Sequence, residues 1–286
     1  MMKKSISYWA FPGGLEGAKP IAECIREAKE AGFEAVELAC GDSGVLTPRT
    51  TKQECATIRS EAEKAGVAIA SLASGVYWGY NLGCNKAEDR ARCEEAVKGM
   101  LQVASWLGVD ALLYIPAAVD VFFNPQAEVI SYDIVLDRAV KGTKRLLKTA
   151  EKCKVALCVE NVWNKFLLSP VEMRDFVDQF GSEYVGAYFD VGNVMPFGYP
   201  QQWIRILGKR IRRVHFKDFK VAVADANGFC DLLEGDVPWP EVMAALREIG
   251  YQGPCTAEMI PLYRHHPMVR IRNTSNAMDA ILGRSR

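Results

Sequence analysis

Short apolar runs alternate with longer amphipathic segments along the whole chain of 286 residues. The apolar runs are four or five residues long and consist largely of β-branched, aromatic or small apolar side chains, which is typical of buried parallel strands. Eight runs are candidate strands: residues 5–9, 35–38, 68–72, 111–115, 156–160, 186–190, 213–217 and 255–259. Their regular alternation with amphipathic segments predicts a series of βα units.

The amphipathic segments carry the signals of helix ends. Residues 21–32, 48–66 and 86–108 each end at a glycine, the residue that most easily adopts the left-handed conformation after a helix. In residues 169–181, Ser169 is a predicted N-cap and Pro170 a predicted first helical residue. Residues 238–250 are expected to repeat that arrangement before the last strand.

Eight parallel strands favour a closed (β/α)8 TIM barrel, and we expect one α/β domain that spans residues 1–286. No GxGxxG follows the first strand, which argues against a dinucleotide-binding sheet. The longest irregular segments are residues 75–85, 116–133 and 219–237. All three follow strands, so they belong to the face where barrel enzymes carry out their chemistry.

The composition limits the kinds of binding partner and the cellular location that we expect. The chain has 35 basic and 35 acidic residues, so its formal net charge of zero predicts neither a nucleic-acid nor a membrane partner. No run of about 20 apolar residues or cleavable leader is apparent, and we expect a soluble cytoplasmic protein. The nine cysteines are scattered without a CxxC pair and are predicted to be reduced thiols.

Four polar, metal-capable side chains end otherwise apolar strand runs: Glu160, Asp190, His215 and Glu258. On the fifth to eighth strands they can converge at one mouth of the barrel. Three carboxylates with one imidazole suit a single hard divalent ion, with Mn²⁺ first and Mg²⁺, Co²⁺ or Zn²⁺ as alternatives. Without a cation, three clustered carboxylates would repel one another.

Several segments resemble the xylose isomerase-like TIM barrels, which include sugar-phosphate isomerases and ketose 3-epimerases. They are VEL at Glu37, ALCVEN at Glu160, FDVGN at Asp190, HFKD at His215, TAEM at Glu258, and EGDVPWPEVMAALREIGYQGP from Glu234. The resemblance covers nearly the whole chain. It implies that the four strand-end residues are the metal ligands and that Glu160 and Glu258 also move protons.

The implied reaction is proton transfer through a metal-stabilised enediolate of a ketose or ketose phosphate. Two carboxylates on opposite faces would invert a carbon centre, whereas one base returning the proton to the neighbouring carbon would isomerise the sugar. A dehydratase of the inosose dehydratase type is the alternative. An abasic-site endonuclease needs more histidines than the three present, and a non-catalytic sugar-binding protein leaves the paired carboxylates unexplained.

Further side chains are candidate contacts for a sugar or sugar phosphate: Glu37, Trp163, Asn193, Lys217 and Arg264. Glu37 could instead orient another site residue. Asn193 stands where many relatives have a histidine, so it can bond a hydroxyl but cannot carry a proton. Arg264 could bind a phosphate, although no compact glycine-rich cradle accompanies it.

Aromatic residues near the first and third strands, Trp9, Tyr77 and Trp78, could pack against a sugar or belong to the core or rim. His265 and His266 are predicted surface residues. Exposed aromatic side chains near the mouth are compatible with a homodimer or homotetramer.

Overall fold

A closed barrel of eight parallel strands forms the centre of the computed structural model, which describes residues 2–284. The strands are β1 Lys4–Ser7, β2 Ala35–Cys40, β3 Ala68–Ser74, β4 Ala111–Tyr114, β5 Ala156–Glu160, β6 Val185–Asp190, β7 Ile211–Phe216 and β10 Cys255–Ala257. Around the barrel their order is β1-β10-β7-β6-β5-β4-β3-β2. The predicted (β/α)8 TIM barrel in a single domain is therefore confirmed.

Helices separate successive barrel strands, and one follows the last strand. They are α1 Ile21–Glu30, α2 Lys52–Ala65, α3 Ala87–Leu107, α4 Tyr132–Cys153, α5 Pro170–Asp178, α6 Pro200–Leu207, α7 Trp239–Glu248 and α8 Pro267–Ile281. The buried helix residues and the strand side chains form one apolar core. Strands β2, β5 and β6 are buried along their whole length, as expected of a sheet covered on both faces.

Local sequence explains several helix ends. Ser169 caps α5 by accepting a hydrogen bond from the amide of Glu172, whose carboxylate accepts one from the amide of Ser169. Gly66 and Gly108 adopt the left-handed conformation after α2 and α3, as predicted. Helix α7 differs, because Pro238 stands at its N-cap and provides no capping side chain.

The third long loop contains a short antiparallel hairpin that the sequence pattern did not predict. Its strands are β8 Asp218–Phe219 and β9 Phe229–Cys230. The carboxylate of Asp218 accepts hydrogen bonds from the amides of Phe219, Leu233 and Val237 and from the indole of Trp239. This buried acceptor ties both ends of the loop to the end of β7.

The cysteines and the helices bear on two expectations from the composition, reduced thiols and the absence of a membrane span. All nine cysteines are unpaired, and seven of them are buried. Among residues 2–284, no helix is both long enough and apolar enough to cross a membrane.

Candidate active site

Four side chains from consecutive barrel strands meet at the carboxyl-terminal mouth of the barrel. Glu160 and Asp190 are the last residues of β5 and β6, and His215 is the next-to-last residue of β7. Glu258 follows β10 directly, one residue beyond the strand in which the sequence pattern placed it. One potential ligand atom from each side chain lies within 4.8 Å of the others, and all four residues are buried.

The barrel order explains this convergence. Strands β5, β6, β7 and β10 are neighbours in the closed sheet, although Glu160 and Glu258 are far apart in sequence. The register pairs Asp190 with His215 across β6 and β7. Because parallel strands all end at the same rim, residues at their ends come together without any special loop conformation.

The imidazole of His215 is held in one orientation. Its Nε2 lies 2.9 Å from Glu37 Oε1, while its Nδ1 lies 3.1 Å from Glu160 Oε1 and 3.6 Å from Glu258 Oε2. A proton on Nε2 that is donated to Glu37 leaves the Nδ1 lone pair for a cation. Carboxylates in this position commonly orient metal-binding histidines.

Glu37 lies beneath the cavity, and its side chain has no exposed surface. Its Oε2 accepts a hydrogen bond of 3.0 Å from the hydroxyl of Ser71 and is in close contact with the hydroxyl of Tyr188. Both carboxylate oxygens are therefore engaged within the protein. Of the two roles considered for Glu37, this placement favours the orientation of a site residue over a substrate contact, and that role stays a prediction.

Burial and mutual charge shift the protonation of the cluster. Burial raises the pKa of Glu160 to about 7, although a hydrogen bond from His215 lowers it in part. Burial also raises the pKa of Asp190, although the nearby positive charge of Lys217 acts in the opposite direction. For His215 burial opposes the charged form, but the carboxylates of Glu37 and Glu258 outweigh it and raise its pKa. The pocket therefore holds more negative charge than its buried surroundings readily accommodate.

Two buried oxygens in the cluster have no hydrogen-bond partner, Asp190 Oδ2 and Glu258 Oε2. The ammonium nitrogen of Lys217 lies 3.2 Å from the first and is in close contact with the second, so ion pairs offset part of the charge of both oxygens. Three buried carboxylates beside an oriented imidazole nitrogen match the ligands of a hard divalent cation. The cluster thus fits a divalent metal ion.

A cavity of about 440 Å³ opens above the cluster. Glu160, Glu258 and Lys217 line it, together with Asn193 and Trp163, so five of the predicted site residues reach one space. Asn193 donates from its side-chain nitrogen to the carbonyl of Asn161 and accepts a hydrogen bond from the indole of Trp163 through its own carbonyl. These bonds fix the turn after β6 against the turn after β5.

Comparison with known proteins agrees with this architecture. The model of the family described as "Xylose isomerase-like TIM barrel" matches residues 25–276. The chain belongs to that family. A D-psicose 3-epimerase of Enterocloster bolteae is 27% identical over 234 residues, covering 79% of this chain and 72% of the relative. SgbU of Escherichia coli K12, which carries the provisional name L-ribulose-5-phosphate 3-epimerase, is 24% identical over 260 residues, 88% of each protein.

The solved structures support the same fold. The D-psicose 3-epimerase of Clostridium cellulolyticum H10, crystallised with D-tagatose, superposes with a TM-score of 0.79 at 20% identity and covers 98% of this chain and 99% of its own. The architecture of this xylose isomerase-like barrel is thus shared with proteins of low sequence identity.

The remaining candidate residues of this xylose isomerase-like barrel lie partly in the cavity and partly outside it. Arg264 is exposed in the segment after β10 and is not among the cavity-lining residues, and its contact with substrate stays a prediction. Tyr77 is buried and donates to the carbonyl of Leu113. Trp9 and Trp78 do line the cavity, and His265 and His266 are exposed, as predicted.

Sequence reasoning missed three aromatic residues that line the cavity, Phe122, Phe123 and Phe229. Phe122 and Phe123 lie side by side in the long loop after β4, and Phe229 begins β9. The one sequence signal for a cavity contact was the adjacent pair Phe122 and Phe123 in the loop after β4. A loop has no periodicity from which to tell which side chains turn toward the barrel mouth.

Proposed function

We propose that the protein is a divalent-metal-dependent ketose 3-epimerase that moves a proton at carbon 3 of a sugar or sugar phosphate through an enediolate. The observation that carries the proposal is the pair of carboxylates, Glu160 and Glu258, which line one cavity and flank Asp190 and His215. Since they are the outer two of four consecutive strand ends, they can approach a bound sugar from different sides.

The proposed metal ligands are the carboxylates of Glu160, Asp190 and Glu258 and Nδ1 of His215. Mn²⁺ is the proposed ion, because three oxygens and one nitrogen suit a hard to borderline cation. When bound, such an ion acts as a Lewis acid that stabilises negative charge developing on the substrate oxygens. Glu37 holds the imidazole so that Nδ1 faces the other ligands.

Proton transfer is assigned to the two glutamates. One carboxylate removes the hydrogen from carbon 3 on one face, and the other, in its protonated form, returns a proton to the opposite face, which inverts that carbon. The reverse reaction exchanges the two roles. A carboxyl group with a pKa raised toward neutrality, as burial does for Glu160, suits this work because it can both take and give a proton.

Other cavity residues are proposed to bind the substrate. Lys217 carries a positive charge beside Asp190 and Glu258, where it can stabilise a substrate oxygen that gains negative charge. Trp163 offers a ring and Asn193 an amide at the cavity surface. Asn193 can bond a hydroxyl but has no titratable proton, so the proton transfers remain with the glutamates.

Inversion at carbon 3 is favoured over the isomerase and dehydratase reactions because the two curated relatives described above are both named 3-epimerases. The first relative is named after a free ketose, D-psicose, and the second after a ketose phosphate, L-ribulose 5-phosphate. A homodimer or homotetramer and a cytoplasmic location stay predictions.

Product analysis tests the proposal. The Mn²⁺-loaded protein is incubated in deuterated water with ketopentoses, ketohexoses and their terminal phosphates, and the products are followed by NMR. We expect deuterium at carbon 3 together with the carbon-3 epimer. Conversion to an aldose would indicate an isomerase, loss of water to a dicarbonyl would indicate a dehydratase, and no exchange with any sugar would contradict the proposed reaction.

A further inference from the structure

Six aromatic residues line the cavity, and we name them the aromatic wall: Trp9, Trp78, Phe122, Phe123, Trp163 and Phe229. Five of them form a continuous series of edge or tilted contacts. Trp78 lies 5.3 Å from Phe123, Phe122 lies 5.6 Å from Trp163, and Trp163 lies 5.1 Å from Phe229, measured between ring centroids. The wall lines the same cavity as the proposed catalytic carboxylates, Glu160 and Glu258.

Part of the wall is open to solvent. Phe122 is 46% exposed and Phe123 is 56% exposed, although both are large apolar side chains. Both rings contact Trp78 and each other, yet a large part of each stays open to solvent. Exposed apolar surface that continues into a polar site commonly marks the place where an apolar part of a ligand binds.

The charges around the cavity disfavour a phosphate. Within residues 2–284, Lys217 is the single cationic side chain among those lining the cavity, and its ammonium group already contacts Asp190 and Glu258. Arg264 is exposed outside the cavity, and Lys220 is 3.6 Å from the carboxylate of Glu234. A dianionic phosphate would meet the carboxylates of Glu160 and Glu258 and apolar rings instead of arginine forks or free amides.

We infer that the natural substrate is a ketose that carries an apolar, preferentially aromatic, substituent, which packs on the aromatic wall while the sugar lies over the carboxylates. This inference rests on the proposed function and adds the substrate class. The cavity volume of about 440 Å³ falls within the range of about 300–1,000 Å³ typical of pockets that enclose ligands of drug size. The rings of the wall meet in edge or tilted contacts, which leaves ring faces and edges that an aromatic substituent of the ligand can contact.

Equilibrium binding tests the inference separately from turnover. The probes are D-fructose and D-psicose, which differ only at carbon 3, with their 6-phosphates and their 6-O-benzyl ethers. Titration calorimetry with the Mn²⁺-loaded full chain measures each affinity, and NMR in deuterated water measures exchange at carbon 3. We expect the benzyl ethers to bind about tenfold or more tightly than the parent sugars and the phosphates, as expected from burial of a phenyl-sized group.

Variants locate the effect. Phe123→Ala should bring the affinity for the benzyl ethers close to that for the parent sugars, because the benzyl group would lose the ring on which it packs. Tyr199→Ala is the matched control, since Tyr199 is 63% exposed and does not line the cavity. A benzyl preference that Phe123→Ala leaves unchanged would overturn the assignment to the wall.

The remaining outcomes separate the two proposals. Tighter binding of the phosphates, or equal binding of the benzyl ethers and the parent sugars, would overturn the inferred substrate class. Exchange at carbon 3 in the same experiment would still support the proposed epimerase reaction. A benzyl preference without any exchange would uphold the wall as a binding surface and contradict the epimerase. A dimer in sedimentation that Phe123→Ala dissociates, with no benzyl binding, would assign the wall to a second copy of the chain and overturn the inference.

Discussion

At the residue scale, the two nitrogens of His215 have different tasks. Nε2 faces Glu37 at 2.9 Å, and Nδ1 faces the carboxylate cluster. Glu37 is in turn fixed by Ser71 and Tyr188, so it has little freedom to follow a rotating imidazole. We assign Glu37 to positioning, because it touches neither the cavity nor the proposed proton path.

Glu37→Gln tests this positioning role. The amide side chain brings an N–H group toward the hydroxyls of Ser71 and Tyr188 and weakens the hold on the imidazole. We expect the affinity for Mn²⁺, measured by titration calorimetry, to fall about 10–100-fold. Glu16→Gln, which changes an exposed carboxylate in the same way, should bind Mn²⁺ as the wild type does. Equal affinities for all three proteins would show that Glu37 does not position His215.

Lys217 should affect turnover and metal binding in opposite directions. Lys217→Met removes the positive charge beside Asp190 and Glu258 but keeps the length of the side chain. We expect kcat to fall about a hundredfold, since a charged group near the reacting oxygens is lost. The Mn²⁺ affinity should rise, because a competing cation is removed. Lys220→Met is the control, and a loss of Mn²⁺ affinity in Lys217→Met would contradict this role.

At the element scale, the strands and helices follow their sequence patterns because each is long enough to show its period. Strands β8 and β9 could not be predicted in this way, since each has only two residues. Their pairing depends on the buried carboxylate of Asp218, whose four donors come from both ends of the loop. The pattern likewise extended the last barrel strand to Met259, whereas β10 ends at Ala257.

Asp218→Ala should destabilise the protein without directly removing a ligand of the proposed metal. Three backbone amides and one indole N–H would lose a buried, charged acceptor. We expect the free energy of unfolding in urea to fall by about 3 kcal/mol. Asp225→Ala, which removes an exposed carboxylate with one local amide bond, should cost less than about 1 kcal/mol. Similar losses in both variants would contradict the organising role of Asp218.

At the scale of the whole molecule, closure of the barrel brings together residues that are far apart in sequence. The four strand-end residues could be predicted to converge because a parallel barrel places all its strand ends at one rim. The direction of Glu37 and the exposure of Arg264 could not be predicted, because they depend on which neighbours fill the space above and below each side chain.

Metal binding should stabilise the whole fold, because its proposed ligands come from four different strands. At a Mn²⁺ concentration of about 100 times the dissociation constant, the expected gain is about 2.7 kcal/mol, which corresponds to a rise of about 5 °C in Tm. Thermal unfolding of EDTA-treated protein with and without Mn²⁺ measures the rise. His215→Ala should abolish it, whereas His265→Ala, at an exposed position, should retain it. A Tm that does not respond to Mn²⁺ in the wild type would contradict a metal site of this kind.

The central claim is that Glu160 and Glu258 move protons on opposite faces of one sugar, and the measurement that tests it most directly is deuterium exchange at carbon 3 starting from each pure epimer. The Mn²⁺-loaded wild type should exchange and interconvert both epimers. Glu160→Gln and Glu258→Gln should each lose epimerisation about 10²–10⁴-fold. Each variant should keep exchange only in the epimer whose hydrogen faces the remaining carboxylate. Unchanged epimerisation in either variant, or loss of exchange from the same epimer in both, would contradict the two-carboxylate mechanism.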